Sequence, residues 1–95
     1  MKERDHYHSV ELSVDGLAVS YQFRIWNINS RSMLILIRED SAILPRLKVG
    51  DRLKMKYHSA DSLYSDESKE TAITKITKDE KGRFKGHFLV DLNIV

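Results

Sequence analysis

Apolar and polar residues alternate with a period of two along most of this chain, as they do in strands that bury one face. In "HSVELSV", Val10, Leu12 and Val14 alternate with Ser9, Glu11 and Ser13. Asp15-Gly16 follows, a dipeptide that tolerates the positive φ of a tight hairpin turn. Leu17 to Ile28 then reads as one long second strand. It places Val19, Tyr21, Phe23 and Ile25 on one face, with Ser20, Gln22 and Arg24 on the other. The turn formers of "NINSRSM" (Asn27 to Met33) separate this strand from "MLILI" (Met33 to Ile37). That run is apolar on both faces and rich in β-branched isoleucine, which predicts a central strand covered on each side.

From Arg38 to Lys48 the alternation breaks, and Pro45 forbids a continuing strand, so a loop with one short helical turn is expected. "VGD" turns the chain into "RLKMKYH", where Leu53, Met55 and Tyr57 alternate with Arg52, Lys54 and Lys56. Ser59 to Lys69 has the composition of a mobile loop, polar and acidic with only Leu63 and Tyr64 to bury. In Thr71 to Lys78, Ile73 and Ile76 are spaced by three, which a strand accommodates through a β-bulge. "KDEKGR" predicts a turn, and the last run alternates through Phe84, Gly86, Phe88, Val90, Leu92 and Ile94. The aromatics Tyr21, Phe23, Tyr57, Phe84 and Phe88 read as core. The fold class expected is all-β, a single small antiparallel barrel of six or seven strands. Closure would remove the open edges a flat sheet presents. The segment 1–8 leads into a barrel over 9–95.

Composition narrows the function classes. The 95 residues make one domain, and a fold of this size buries roughly 60–65% of its unfolded surface. Cysteine is absent, which removes disulfides and thiolate metal sites. No apolar run approaches the ~20 residues that cross a bilayer, and "MKERDHYHS" has no apolar block of a secretory signal. A cytoplasmic domain with no membrane insertion is the expectation. The net charge of +2 gives no general affinity for nucleic acid. Charge is nevertheless sorted along the chain. Arg46, Lys48, Arg52, Lys54 and Lys56 crowd one segment, and Asp61, Asp66, Glu67 and Glu70 the next. Two readings follow: a solvated strand face with an acidic loop after it, or a basic strip facing an anionic ligand.

The order of these parts resembles the PilZ domain, a small bacterial β-barrel that commonly binds the second messenger cyclic di-GMP. The resemblance runs from about Arg4 to Ile94 and rests on pattern: the charged N-terminal stretch, the long strand ending in an Asn/Ser turn, "LILI", "LKVGDRLKMKY" and the closing "FKGHFLVDL". Ligand-binding PilZ domains carry R-x-x-x-R in the N-terminal segment and [D/N]-x-S-x-x-G at the turn. Arginine's fork can bond guanine edges or phosphate and its plane can stack on a base. Glycine lets backbone approach the ligand. Here Arg4 keeps the first arginine position and His8 stands at the second. At the turn Asn27 keeps the family pattern, while Asn29 replaces the Ser and Ser32 the Gly; Arg31 lies inside the turn. The resemblance implies a bacterial signalling domain whose cyclic di-GMP site, Arg4, His8, Asn27, Asn29, Arg31 and Ser32, is degenerate. A neutral imidazole cannot reproduce the bidentate fork, and losing one such purine contact costs about 1–3 kcal/mol, roughly 5–150-fold in affinity. Ser32 adds strain if its φ is positive, and Arg31 offers partial compensation.

Other constellations carry less. His6 and His8 would share a strand face beside Asp5, but a metal site needs three or four converging ligands. The histidines therefore read as surface residues without a metal, and no cofactor is implied. No local Ser/His/acid signature supports nucleophilic catalysis, so a non-enzymatic role is expected. Trp26 points opposite to Ile25, toward the side of Arg24, where it either caps one end of the barrel or lies exposed as an interaction anchor. A PilZ-like receptor domain for cyclic di-GMP is the first reading. The alternative is a ligand-independent protein–protein interaction module with an unidentified partner. A single-stranded nucleic-acid binder ranks third, because it would need exposed aromatics interleaved with basic residues.

Overall fold

A computed structural model describes residues 7–14, 16, 19–28, 32–59, 65–80 and 82–95, with Asn27, Ile28 and Ser32 placed by their backbone. Its elements are β1 (Tyr7–Leu12), β2 (Tyr21–Arg24), β3 (Asn27–Ile28), β4 (Ser32–Arg38), a 3-10 turn (Leu44–Arg46), β5 (Arg52–Ser59), β6 (Glu67–Lys78) and β7 (His87–Ile94). All strand pairs are antiparallel, in the order β2-β1-β5-β6-β7-β4-β3. The two outermost strands are consecutive in the chain, so the sheet curls into a nearly closed six-stranded barrel.

Closure happens within two residues. Ile25 N–H donates to His8 O (2.9 Å), continuing the pairing of β2 with β1, and Trp26 N–H donates to Leu34 O (2.8 Å), starting the pairing with β4. Trp26 and Asn27 both stand opposite Leu34, a bulge that turns the strand from one partner to the other. The long strand expected over Leu17 to Ile28 is therefore two short ones. It also starts later, at Tyr21, and Val19 is exposed. Gly16 does take the positive φ expected of it, at +92°. A Cβ there would lie 2.7 Å from the Arg46 guanidinium, so the β1–β2 connection lies against the 3-10 turn.

The inward positions form one core. Val10 and Leu12 of β1, Met33, Ile35 and Ile37 of β4, Met55 and Tyr57 of β5, Ile73 of β6, and Val90 and Leu92 of β7 are all buried. Burial of this apolar surface, at about 25 cal/mol per Å², is what drives closure. The crossover from β4 to β5 runs over one end of the barrel and seals it with Ile43 and Leu47, both buried, around the Pro45 turn. Inside, Tyr57 Oη and Thr71 Oγ1 share a hydrogen bond of 2.7 Å, so these core hydroxyls are satisfied. The bulge expected between Ile73 and Ile76 is present: the register shifts between Ile73 and Lys75, leaving Thr74 extra, so Ile76 returns to the core side.

Three expectations need correction. Phe84 and Phe88 are half-buried, because Phe84 sits in the β6–β7 turn and Phe88 is the second residue of β7, near the barrel rim and opposite Lys78. The loop expected over Ser59 to Lys69 is shorter at both ends. β5 keeps Ser59, and β6 takes Glu67, Ser68 and Lys69, because main-chain pairing with β5 does not require apolar side chains on an outward face. Residues 60–64 of that loop lie outside the described residues. Finally, β1 begins at Tyr7, so the barrel takes in two residues assigned to the leading segment.

Candidate functional site

The strand registers bring the start of β1, the end of β3 and the start of β4 to one end of the barrel. Tyr7 of β1 pairs with Ser59 at the end of β5, and Glu67 at the start of β6 pairs with Tyr57. Thr71 pairs with Ile94 near the end of β7, Asn93 with Ser32 at the start of β4, and Met33 with Ile28 at the end of β3. This end lies opposite the one sealed by Ile43 and Leu47. β1 begins at this end, β3 ends here and β4 begins here. Arg4, Asn29 and Arg31 themselves lie outside the described residues, and Asn27 and Ser32 are placed only by their backbone.

His8 is the motif residue whose side chain is described, and it is exposed. It is the extra residue where the β1–β5 register shifts between Tyr7 and Ser9. Bulges of this kind re-aim side chains at barrel rims. Its carbonyl receives the Ile25 N–H, so His8 lies beside the strand end two residues before Asn27. Tyr7 anchors the segment: its ring stacks on Tyr57 at 4.9 Å, and its hydroxyl donates to Glu67 Oε1. Ser32 begins β4, and positive φ among the described residues is confined to Gly16, Gly50 and Gly86. The strain expected of a side chain at this position is therefore absent. Opposite Ser32, the buried Asn93 Oδ1 has no hydrogen-bond partner among the described residues, an unmet acceptor at the edge of the mouth.

On the β1–β5 side of the barrel, His58 lies between two carboxylates. Its Nε2 is 2.9 Å from Glu11 Oε1 and its Nδ1 2.9 Å from Asp66 Oδ2. An imidazole donates from both nitrogens only in its protonated form. Ser20 Oγ–H donates to the other oxygen of Glu11 at 2.8 Å. The Ser20 hydroxyl, then the His58 hydrogen bond, hold the Glu11 carboxyl below its usual range. The arrangement is a clamp: it ties β1 to β5 and to Asp66, just before β6. The basic residues of β5 face solvent as one of the two charge readings held: Lys54 stands opposite Glu70 and Lys56 opposite Glu11, so acids of the neighbouring strands interrupt a continuous basic strip.

A second cluster lies on the outer face. Trp26 is 44% exposed, which settles its alternatives in favour of exposure. The Arg24 guanidinium sits 4.6 Å from its ring centroid, Phe84 lies 5.7 Å away at 60°, and the Arg83 guanidinium is 5.2 Å from the Phe84 ring. Alternation along the second strand pointed to Arg24 and Trp26 sharing a face. The contribution of Arg83 and Phe84 comes from a turn nearly sixty residues away and has no local signal.

Among the described residues no group of three or more His, Cys, Asp or Glu side chains is arranged to hold a metal ion. No described helix is long and apolar enough to cross a membrane. Compared with known proteins, the chain matches no family model, no curated protein and no solved structure.

Proposed function

We propose that this chain is a non-enzymatic, PilZ-like regulatory domain of a bacterial cytoplasm that takes cyclic di-GMP weakly at the end of its barrel where β1 begins and β3 gives way to β4. The observation that supports this reading is the Ile25 N–H to His8 O hydrogen bond of 2.9 Å. It sets His8 beside Ile25, two residues before Asn27. A ligand with two guanines and two phosphates needs both motif segments at once, one for its base edges and one for polar backbone and side-chain contacts. The exposed imidazole of His8 supplies a single hydrogen bond or, when protonated, a charge, so affinity stays low.

The test is a titration of the chain with cyclic di-GMP, followed by backbone amide chemical shifts. Shifts concentrated at Tyr7 to Ser9, Ile25 to Ser32 and Asn93 support the site. Saturable shifts centred elsewhere, or none at high ligand concentration, contradict it. A protein–protein interaction role independent of the ligand is the second reading, and the exposure of Trp26 favours it.

A further inference from the structure

We infer that β2 is a hinged strap over a slit in the barrel wall, and that it swings open while the other strands stay folded. The inference goes beyond the cyclic di-GMP reading and does not depend on it. Its first ground is the direction in which the main chain faces. In an antiparallel ladder the N–H and C=O groups of successive residues point alternately to the two neighbours. Ile25 N–H bonds His8 O, so Phe23 and Tyr21 turn the same way, toward Val10 and Leu12 of β1. Arg24 and Gln22 then turn away from β1. On the other side, Leu34 O accepts from Trp26, so Leu36 and Arg38 turn that way too, while Ile35 and Ile37 turn to β7. The two edges face each other. Continuing the pairing of Trp26 with Leu34 would set Arg24 opposite Leu36, yet no backbone hydrogen bond crosses there among the described residues. Arg38 O instead accepts the Ser41 N–H at 3.0 Å.

The second ground is burial. Tyr21 and Phe23 pack against the core with their rings stacked at 6.4 Å, but both are only half-buried. The inward residues of the strands on either side, Val10 and Leu12 of β1 and Ile35 and Ile37 of β4, are fully buried. An unpaired slit between β2 and β4 accounts for the difference, since it leaves the aromatic pair within reach of solvent.

The third ground is how β2 is held. It has four residues and a ladder on one edge, whereas β1, β4, β5, β6 and β7 are each paired on both. Two side-chain bonds supplement that ladder, Gln22 Nε2–H to Ser9 Oγ and Ser20 Oγ–H to Glu11 Oε2, each at 2.8 Å and neither fully buried. A segment with few buried contacts and solvent-exposed backbone opens at lower free energy than the core around it. The hinge is Ile25–Trp26, where the chain changes partner and the Leu34 bond fixes it to β4. Opening uncovers Tyr21 and Phe23 and frees the strand edge of β1 for a new neighbour.

The test is amide hydrogen exchange of the whole chain across a series of low urea concentrations. The Phe23 amide lies inside the β1–β2 ladder, and the Ile35 amide inside the β4–β7 ladder. A strap predicts that Phe23 exchanges at least about 100-fold faster than Ile35 and with little dependence on urea, the mark of local opening. A second measurement closes the slit. The chain has no cysteine, so Arg24→Cys with Leu36→Cys offers a single disulfide between the facing edges. Oxidation of the folded variant should slow Phe23 exchange by about tenfold or more relative to Ile35, and reductant should reverse it. Phe23 and Ile35 exchanging at one rate with one urea dependence would show that β2 opens only with the whole fold, and overturns the strap. A folded variant whose disulfide does not form, or forms without slowing Phe23 relative to Ile35, overturns it as well.

Discussion

Replacing Ile35 by alanine should cost more than replacing Phe88 by alanine, although phenylalanine is the larger side chain. Ile35 lies in the middle of β4, opposite Val90, and both are buried. Removing its outer carbons leaves a void that the sealed end and the flanking strands cannot collapse into. A buried Ile→Ala change costs 2–5 kcal/mol, and the central position of Ile35 puts it at about 3–4 kcal/mol. Phe88 pairs with Ile37 on one side and Lys78 on the other, at the rim, and is half-buried. Scaling the full-burial cost of about 3–5 kcal/mol by half gives about 1.5–2.5 kcal/mol. A chain of 95 residues has a total stability of about 5–14 kcal/mol, so the Ile35 variant loses a large fraction of it. Its melting temperature should fall by about 12–30 °C. Urea unfolding with a common slope gives both values directly. A Phe88→Ala loss equal to or above that of Ile35→Ala would place Phe88 in the core and refute the rim assignment.

Further predictions follow from the other contacts. Lys54→Ala, on the outward face of β5, should change the urea midpoint by less than about 0.5 kcal/mol equivalent. The Glu11 carboxyl is held below its usual range in the folded state, so it contributes stability above the unfolded value of about 4.3 and loses it as pH falls through the lower folded value. Glu11→Gln should therefore lower the urea midpoint at neutral pH and flatten its decline below about pH 4; parallel pH profiles for parent and variant would remove the clamp from the account. Amides of Ser68 and Lys69 should exchange as slowly as other strand amides of β6, since both lie within its ladder with β5; exchange at the rate of an open loop would restore the longer loop.

The strands were legible because alternation is a direct image of one-sided burial. Leu53, Met55 and Tyr57 point to the core side as their spacing requires, and the three-residue gap between Ile73 and Ile76 marked its bulge. The switch of partner at Ile25 and Trp26 was not legible. A change of neighbour leaves the in-out pattern of side chains almost unaltered, so the run looks like one strand. Glu67 to Lys69 looked like loop because an outward, polar stretch can be held by main-chain bonds alone. The motif segments were readable as candidates, yet the His8–Ile25 bond, which joins strands, has no local trace. The same holds for the Glu11–His58–Asp66 clamp and for Arg83 and Phe84 beside Trp26, all assembled by pairing between distant parts of the chain.

The central proposal, that the end of the barrel where β1 begins is a worn cyclic di-GMP site, is tested most directly by repairing it. His8→Arg returns the second fork, Asn29→Ser the hydroxyl and Ser32→Gly the open backbone approach. His8 is exposed, which leaves room for the longer side chain. Calorimetric titration of the parent, the triple repair and the repair carrying Arg4→Ala should give weak binding, binding tighter by at least the 1–3 kcal/mol of one bidentate contact, and loss of that gain, respectively. A folded triple repair that shows no heat at high ligand concentration, or a gain that survives Arg4→Ala, would contradict the account.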